Sequence, residues 1–478
     1  MTFPTHTVEK IGGTSMSRVR ELLDTLFIRD REGAALYRRI FVVSAFGGIT
    51  NLLLEHKKSG APGVYARFAN GDDDHGWLDA LTEVGRAMRA AHEGILDNPG
   101  DRSLADEFVR ERIEGARSCL FDLQRLCSYG HFRLGDHMMV IRELLSGLGE
   151  AHSAFVTTLL LQRAGVNARF IDLSGWRDET EHTLSERIAA GLRDVDLAAE
   201  MPIVTGYAQC SEGLMREFDR GYSEVTFARI AAHTGAREAI IHKEFHLSSA
   251  DPKLIGEAAV RKLGHTNYDV ADQLSNLGME AIHPKAAKTL RQAEVPLRVT
   301  NVFDPGDPGT LIDDQPTTTP AVEIVTGLKV VALELFEQDM VGVKGYDAAI
   351  LDALKRHSVW IVSKTSNANT ITHYVQASLK TVRRVMRDLE ALYPASEISA
   401  RTLALVSPVG RDLKGLRVLS RGLSALEEAG IEVVAAHQTP RGVDVQFVIA
   451  AEALEAGIAA LHCALIENAP ATQVARAA

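Results

Sequence analysis

Two apolar segments, each followed by a pair of glycines, constrain the fold of this chain more than any other feature. Residues 8–15 read Val-Glu-Lys-Ile-Gly-Gly-Thr-Ser, and residues 40–51 read Ile-Phe-Val-Val-Ser-Ala-Phe-Gly-Gly-Ile-Thr-Asn. Each predicts a buried strand, a glycine turn and the start of a helix. Parallel strands present their carboxyl ends at one edge of a sheet, so both loops are expected at the edge where open α/β folds bind ligands.

The first glycine turn predicts an anion site. Free backbone amides at a helix start attract an anion, and a lysine at the turn supplies a point charge for phosphate. An amphipathic helix is predicted to follow, because apolar residues recur at helical spacing, at Val19, Leu22, Leu23, Leu26 and Phe27. Taken alone, the segment fits an ordinary strand–turn–helix with a surface lysine equally well. The predicted anion ligands are Lys10, Gly12, Gly13, Thr14 and Ser15.

Composition excludes several classes of protein. The chain has 478 residues, enough for two to four domains by the usual domain size. Its net charge is −11 with no long basic run, which argues against a nucleic-acid partner. The four cysteines show no metal-binding spacing, so a reduced cytoplasmic chain is expected. The start Met-Thr-Phe-Pro lacks a signal peptide, and no apolar run approaches the roughly 20 residues that span a bilayer.

Strands and helices continue to alternate up to about residue 301, which predicts an α/β domain with a largely parallel sheet. Ser223 is expected to cap a helix that stops at Gly235, with Glu224 in its first turn. The acidic run at 71–74 is read as a solvated turn. His242 and His246 are not expected to bind metal, because their segment does not read as a helix and no acidic third ligand has matching spacing.

The C-terminal part contains an internal repeat. A cluster of Asp, Gly, Pro and Thr at 304–319 marks a linker. The pattern β-α-β-β-α then occurs twice, at 328–389 and at 401–466. Two copies of one unit predict a paired regulatory module, with helices on one face of the sheets.

Six ordered motifs make the chain resemble the aspartokinases, members of the amino-acid kinase fold, over almost its full length. They are Lys-Ile-Gly-Gly-Thr-Ser from residue 10, Val-Val-Ser-Ala-Phe-Gly-Gly-Ile-Thr-Asn from 42, Gly-Glu-Ala-His-Ser from 149, Arg-Gly-Tyr-Ser-Glu from 220, Ala-Asp-Pro-Lys from 250, and 278–284 together with Pro-Leu-Arg-Val from 296. The resemblance implies a three-layer αβα kinase domain at 1–312 and a linker at 313–327. Two α+β ACT units (βαββαβ) at 328–398 and 399–470 and a tail at 471–478 would follow.

The resemblance also implies an activity: MgATP would phosphorylate the side-chain carboxylate of L-aspartate, giving 4-phospho-L-aspartate. Phosphoryl transfer depends mostly on positioning and charge stabilisation. Lys10, Glu150 and Arg220 would be catalytic. The aspartate would be held by Ser44, Thr50, Glu150, Arg220, Ser223 and Glu224, because an arginine suits a carboxylate and a glutamate suits an ammonium group. The phosphates and nucleotide would contact Lys10, Gly12, Gly13, Thr14, Ser15, His242, Lys243, Ser248 and Lys253. No metal is expected to be held by protein side chains alone.

Several residues depart from the family pattern. Tyr222 and Glu224 replace a glycine and an aspartate of Arg-Gly-Gly-Ser-Asp, and 242–246 replaces the nucleotide loop. An acid has become Lys243 and a base has become Glu280, which suggests an ion pair reversed across the nucleotide site. The same features resemble the branch associated with ectoine biosynthesis, in which the response to lysine or threonine is expected to be weak.

The regulatory half leaves alternatives open. An amino-acid effector is expected where a turn opens a helix, at Gly342, Gly345, Asp347, Asn367 and Asn369. The same residues fit a dimer interface equally well, and a homodimer through the ACT units is expected by resemblance. For the whole chain, the alternatives are a glutamate-type amino-acid kinase and a catalytically weak amino-acid sensor.

Overall fold

The computed structural model describes residues 5–57, 59–70, 76–218, 221–279, 281–315 and 319–468. Its strands are β1 (Thr7–Ile11), β2 (Arg39–Val43), β3 (Ala168–Ile171), β4 (Met201–Thr205), β5 (Glu238–Lys243), β6 (His265–Asn267), β7 (Leu297–Asn301), β8 (Thr310–Asp313), β9 (Ala321–Phe336), β10 (Trp360–Ser366), β11 (Thr370–Gln376), β12 (Glu397–Arg411), β13 (Val433–Gln438) and β14 (Val445–Ala450). Its α-helices are α1 (Gly13–Met16), α2 (Val19–Leu22), α3 (Ile49–Leu53), α4 (Val64–Asn70), α5 (Gly76–Ile95), α6 (Pro99–Cys127), α7 (Leu134–Arg163), α8 (Leu184–Leu192), α9 (Leu214–Phe218), α10 (Tyr222–Thr234), α11 (Pro252–Ile255), α12 (Tyr268–Asn276), α13 (Pro284–Gln292), α14 (Tyr346–Arg356), α15 (Leu379–Leu392), α16 (Val418–Glu428) and α17 (Leu454–His462).

The chain divides into two units. Unit 1 comprises Met1–His246 and Ile282–Asp314, and unit 2 comprises Leu247–Ala281 and Gln315–Ala478. The segment 247–281, predicted within the kinase domain at 1–312, therefore packs with the C-terminal part. Its Ala250 is fully buried in a hydrophobic cluster built mainly from residues after 400. β9 begins at Ala321, inside the predicted linker at 313–327.

Unit 1 is built on a twisted, mostly parallel sheet. Its strands follow the order β3-β4-β2-β1-β5-β7-β8. They are parallel except for β8, which runs antiparallel to β7. Every residue of β1, β2 and β4 is buried, so both faces of the sheet are covered by helices, as expected for such a fold. The predicted αβα layering is confirmed.

α7 is the long core helix of unit 1. It is the one helix among the described residues whose length and composition would suit a membrane span, although no such segment was expected from the sequence. Within its apolar window, 83% is buried inside the protein, as in the core helix of a soluble fold. α7 packs against β3 and β4, and this contact fixes where its middle residues, including Glu150, meet the sheet.

Unit 2 contains the predicted repeat. Its six-stranded sheet has the order β10-β11-β9-β12-β14-β13, and its pairings are antiparallel. β9 and β12 pair along almost their whole length. The end of β9 and the start of β12 therefore belong to the first repeat, whereas the start of β9 and the end of β12 belong to the second. An earlier segment, the start of β9, thus completes the second repeat.

Each repeat has its own hydrophobic core. The first is formed by β9, β11, α14 and α15, with Leu335, Leu354 and Val385 at most 1% exposed. The second is formed by β12, β14, α16 and α17, with Leu426, Phe447 and Leu461 fully buried. The predicted α+β ACT-type pair is thereby confirmed as two separately packed halves of one sheet.

Candidate active site

Three strands of unit 1 end side by side at the carboxyl edge of the sheet. β1 lies between β2 and β5, with Lys10 paired in register to Val42 and Ile241. Lys10 is only 8% exposed, although its ammonium group can reach the edge because the lysine side chain is long. The loops after β1 and β2 therefore start at the same edge, as the sequence predicted, and the loop after β5 starts there as well.

The two glycine loops pack directly against each other. A Cβ atom added to Gly13 would lie 2.8 Å from the carbonyl oxygen of Ala45, so only glycine fits there. Ser17 joins the loops as well, because its hydroxyl accepts a hydrogen bond of 2.8 Å from the amide of Gly47. Gly48 has a φ of +87°, a conformation that favours glycine at the start of α3.

The helix predicted after the first loop is broken into shorter pieces. α1 and α2 are separate, and Leu23–Phe27 forms a π-helical turn. The Ser17 hydroxyl bonds the carbonyl of Gly13 as well as the second loop, and side chains that bond the backbone locally compete with helix continuation. The apolar face is buried as predicted, with Leu22 and Phe27 inaccessible to solvent.

Glu224 lies between two lysines. Its Oε1 atom is 3.5 Å from Nζ of Lys10 and 3.9 Å from Nζ of Lys243. Its Oε2 atom accepts a hydrogen bond of 2.5 Å from the amide of His283. Burial acts to raise the pKa of Glu224, but Lys10, Lys243 and this amide outweigh it and lower the pKa below its usual value. The group is an ionised carboxylate that orders two cations at the edge of the sheet.

Glu150 is the second buried carboxylate of the site. It is 2% exposed, and its Oε2 atom has no hydrogen-bond partner among the described residues. Burial raises the pKa of Glu150 well above its usual value, against the opposing effects of Lys10, the backbone amide of Tyr207 and the side chain of Tyr222. A Cβ atom on Gly206 would lie 2.9 Å from Oε2, so the glycine makes room for this oxygen. The site thus contains a buried carboxylate oxygen that accepts no hydrogen bond from the part of the chain that the structure describes.

The remaining predicted aspartate ligands lie on the same loops. Ser223 Oγ is 3.3 Å from Ser44 Oγ. Ser223 does not cap its helix as predicted, because α10 starts earlier and Gly221 takes the N-cap position. Thr50 lies in the first turn of α3 and is partly exposed. Arg220 and Glu280 fall outside the described residues, as do the run 71–74 and the tail 471–478.

The first glycine loop makes an interaction that could not be predicted from the sequence. Ser15 is fully buried and donates a hydrogen bond of 2.6 Å to Oε1 of Glu244, the first residue after β5. Thr14 is exposed. The pairing of Ser15 with an acid lacked a sequence signal, because the two residues lie far apart in the chain and belong to different motifs.

The prediction that His242 contacts the nucleotide requires correction. Its Nε2 atom is 2.9 Å from Oε2 of Glu9, and its Nδ1 atom is 2.8 Å from the hydroxyl of Thr300. His242 is paired with Ile11 in β1, whereas Lys10 is paired with Ile241. Because side chains alternate along a strand, His242 and Lys10 point to opposite faces. His242 is part of a buried network and both of its ring nitrogens are occupied.

His246 meets two carboxylates that the sequence reading did not foresee. Its Nε2 atom is 3.0 Å from Oδ2 of Asp304, and its Nδ1 atom is 3.6 Å from Oδ1 of Asp307. These three groups are close enough to share an ion. The two acids come from the loop after β7, so the spacing around the histidines did not reveal them. His242 is not among the three groups. That His246 does not bind a metal remains a prediction.

Ser248 and Lys253, predicted to contact the nucleotide, belong to unit 2. Ser248 is buried, and its hydroxyl donates to the carbonyl of Ala250. Lys253 is exposed in α11, where Asp251 caps the helix. Their nucleotide contacts remain a prediction.

The predicted effector residues lie in the first repeat of unit 2. Gly345 is the N-cap of α14 in a left-handed conformation. Asp347 Oδ2 is 2.5 Å from Nζ of Lys364. Asn367 accepts hydrogen bonds from the amides of Asn369 and Thr370 and so closes the β10–β11 turn. Gly342 has a φ of +79° in the preceding loop.

Comparisons with known proteins agree with this geometry. Residues 6–301 match the profile of the "Amino acid kinase family". The "Aspartate kinase Ask_Ect" of Stutzerimonas stutzeri (strain A1501) is 54% identical over 464 residues, covering 97% of this chain and 98% of the relative. The chain belongs to the amino acid kinase family, as an aspartate kinase. "Aspartokinase 2, chloroplastic" of Arabidopsis thaliana is 23% identical over 97% of this aspartate kinase and 85% of its own length.

Solved structures show the same fold. The crystal structure of E. coli aspartokinase III in complex with lysine and aspartate superposes with a TM-score of 0.73 at 20% identity, covering 96% of this chain and 99% of that one. Clostridium acetobutylicum aspartate kinase gives a TM-score of 0.71 at 16% identity, covering 96% and 100%. The predicted fold class of the aspartate kinase is confirmed over nearly its full length.

Proposed function

We propose that this aspartate kinase transfers the γ-phosphoryl group of MgATP to the side-chain carboxylate of L-aspartate at the edge of the sheet around Lys10. The observation that carries the proposal is a nearly buried lysine, paired with one carboxylate, in a site that also contains a second buried carboxylate. Glu224 fixes Lys10 at 3.5 Å, and Glu150 keeps one buried oxygen without a hydrogen-bond partner. Glu224 thus positions Lys10 to face the phosphate, and Glu150 is positioned to bind the ammonium group of the substrate.

In the proposed reaction, a carboxylate oxygen of aspartate attacks the γ-phosphorus, and the bond from that phosphorus to the ADP oxygen breaks. The aspartate is already ionised, so no base is needed. Lys10 and the amides of Gly12 and Gly13 stabilise the charge on the transferring group. Lys243 pairs with the same oxygen of Glu224 as Lys10 does, and its ammonium group stabilises the negative charge on the phosphates of the leaving ADP. Ser15 and Glu244 offer oxygen atoms of the kind that suit the magnesium ion carried by the nucleotide.

Aspartate recognition follows from the second carboxylate. An ammonium group beside Oε2 of Glu150 would donate the hydrogen bond that this buried oxygen does not receive from the described residues. Ser44 and Ser223, 3.3 Å apart, offer hydroxyls to the substrate carboxylates. Thr50 and Arg220 complete the proposed aspartate ligands.

Trapping the acyl phosphate with hydroxylamine tests the activity. Hydroxamate should form with MgATP and L-aspartate, and far more slowly with L-glutamate. Preference for glutamate would identify a glutamate-type kinase. Absence of hydroxamate with either acid would identify an amino-acid sensor. The name of the Stutzerimonas stutzeri relative is consistent with the proposal that the product feeds ectoine synthesis.

The ACT-type unit is proposed to mediate dimerisation and to bind an amino-acid effector. β10 is an edge strand of the described sheet. Trp360 is the first residue of β10 and is more than half exposed, and an exposed apolar side chain at a sheet edge favours association. Val341 and Val343, in the loop before α14, are also more than half exposed. Light scattering of the wild type and of Trp360→Glu tests the dimer: a wild-type dimer and a Trp360→Glu monomer are expected. Titration of lysine and threonine in the kinase assay tests the effector, and weak inhibition is expected.

A further inference from the structure

The turn after β4 lies against two of the proposed aspartate ligands and is bonded beside a third. Gly206 begins this turn, and a Cβ atom on it would lie 2.9 Å from Oε2 of Glu150 and 2.7 Å from Cβ of Ser223. The amide of Gly206 donates a hydrogen bond of 3.0 Å to the carbonyl of Val43, the residue before Ser44. The position of Gly206 therefore determines how much room remains beside the carboxylate oxygen of Glu150.

Tyr207, the next residue, is anchored to the helix that carries Glu150. It is 2% exposed, and its hydroxyl donates a hydrogen bond of 2.5 Å to Oε2 of Glu143 in α7. A Cβ atom on Gly147 would lie 3.0 Å from the tyrosine ring, so a larger residue there would crowd the ring. Residues spaced like 143, 147 and 150 fall on one face of a helix. The face of α7 that presents Glu150 to the site thus also binds Tyr207.

Glu143 joins the two ends of the loop between β4 and α9, residues 206–213. Its Oε2 atom accepts the bond from Tyr207 at the start of the loop, and its Oε1 atom accepts a hydrogen bond of 2.7 Å from the amide of Met215 in α9. Both oxygens of Glu143 are therefore used inside the protein. Glu150 differs, because its Oε2 atom accepts no hydrogen bond from the described residues. Two acids on one helix face thus have different partners.

We propose that Glu143 is a positioning residue for aspartate binding: through Tyr207 it holds Gly206 beside Glu150, so that the space for the substrate ammonium group keeps its shape. The proposal rests on the proposed function, in which Glu150 binds that group. Glu143 precedes Glu150 by about two helical turns. It acts through the loop and is not a catalytic residue.

A purely structural role for Glu143 makes a different prediction. Loss of its two hydrogen bonds would then lower the melting temperature, and the KM values for aspartate and ATP would either stay unchanged or change alike. A positioning role predicts a selective effect on aspartate. The reason is that Gly206 lies against proposed aspartate ligands, whereas the proposed phosphate ligands belong to other segments of the chain.

Steady-state kinetics of Glu143→Ala test the proposal. The KM for aspartate should rise about tenfold, as for the loss of one hydrogen bond to a charged group. The KM for ATP should stay within about twofold of wild type, since binding of the nucleotide is not altered.

Two further variants complete the comparison. Glu143→Gln is the conservative variant, because an amide can accept from Met215 and donate to the Tyr207 hydroxyl. Its KM for aspartate should lie within about threefold of wild type, since both hydrogen bonds can still form. Glu186→Gln changes a carboxylate that caps α8. It is the matched control and should keep both wild-type KM values.

Three results would overturn the proposal. The first is a folded Glu143→Ala enzyme with the wild-type KM for aspartate, and the second is an equal rise of both KM values. The third is a Glu143→Gln enzyme as impaired as Glu143→Ala, which would make the charge rather than the hydrogen bonds responsible.

Tyr207→Phe keeps the proposal testable if Glu143→Ala does not fold. This variant removes only the hydroxyl and leaves the ring against α7. Its KM for aspartate should rise while its KM for ATP stays near the wild-type value, and an unchanged KM for aspartate contradicts the proposal. Hydroxamate formation by the wild type is measured alongside, so failure of the proposed function is recognised separately.

Discussion

Glu9 and Lys10 are consecutive residues of β1, and their side chains serve opposite faces of the same sheet. Glu9 is bonded to Arg39 and His242 in a buried network. Lys10 points the other way and is held by Glu224. One strand thus carries a structural ion pair and the proposed catalytic cation side by side. Substitutions at the two faces should separate stability from catalysis.

Lys10→Met should abolish most of the activity. The change removes the cation nearest the transferring phosphoryl group, and loss of one such stabilising group lowers kcat by about 10²- to 10³-fold. Initial rates of ADP release at saturating aspartate and ATP measure the effect. Lys355→Met, which changes an exposed lysine of α14, is the control and should keep wild-type turnover. Unchanged turnover in Lys10→Met would remove Lys10 from the catalytic role.

Arg39→Met should destabilise unit 1 strongly. Arg39 bonds both oxygens of Glu9 and the carbonyls of Leu26 and Phe27. Removing one partner of a buried ion pair costs about 3–5 kcal/mol, because the other charge stays buried. Urea unfolding measures this loss. Arg86→Met, which removes an exposed pairing with Glu83, should leave the urea midpoint nearly unchanged, and equal losses in both variants would argue against the buried network.

The same ion pair predicts a loss of stability in acid. Burial acts to raise the pKa of Glu9, but Arg39 and the bond with His242 outweigh it and hold the pKa far below its usual value. A carboxylate with a depressed folded-state pKa contributes stability above its unfolded pKa and loses it as pH falls through the folded value. Wild-type stability should therefore fall on acidification below the ordinary glutamate range. In the same urea assay, the free energy of unfolding of Arg39→Met should fall less steeply between about pH 5 and 3, the range in which ordinary glutamates titrate.

Gly13→Ala should damage the contact between the two glycine loops. The new Cβ atom would lie 2.8 Å from the carbonyl oxygen of Ala45, and backbone cannot retreat as a flexible side chain can. Overpacking of this kind lowers the free energy of unfolding by about 1–3 kcal/mol. Activity should also fall, because the same loop supplies the proposed phosphate-binding amides next to Lys10. Gly94→Ala, in α5 with nothing within 4 Å, should instead be neutral or stabilising by up to about 1 kcal/mol. The reverse order of melting temperatures would contradict the packing argument.

The sequence predicted the parts of the site that local pattern determines. Lys10, Gly13, Glu150 and Glu224 each lie in a short motif that can be recognised by itself, although Glu150 and Glu224 belong to the helices α7 and α10 rather than to the strands of the sheet. The repeat in unit 2 was predictable for the same reason, since its apolar periodicity recurs.

The sequence could not predict contacts that depend on register or on distant packing. His242 and Lys243 both end β5, and only the pairing of β5 with β1 decides which of them shares a face with Lys10. Ala250 belongs to unit 2 because residues such as Phe447 and Leu461 bury it.

Glu150→Gln should make the protein more stable in alkaline solution than the wild type. Burial raises the pKa of Glu150 despite the opposing effects of Lys10, Tyr207 and Tyr222. A carboxylate with a raised folded-state pKa contributes its full stability below the unfolded pKa and loses it as pH rises through the folded value. The neutral amide escapes that loss, so the melting temperature of Glu150→Gln should exceed that of wild type at pH 8 and approach it at pH 5. The KM for aspartate should rise at least tenfold, as for a lost charged partner. A variant that is less stable than wild type at both pH values would show that Glu150 is satisfied in the folded state without substrate.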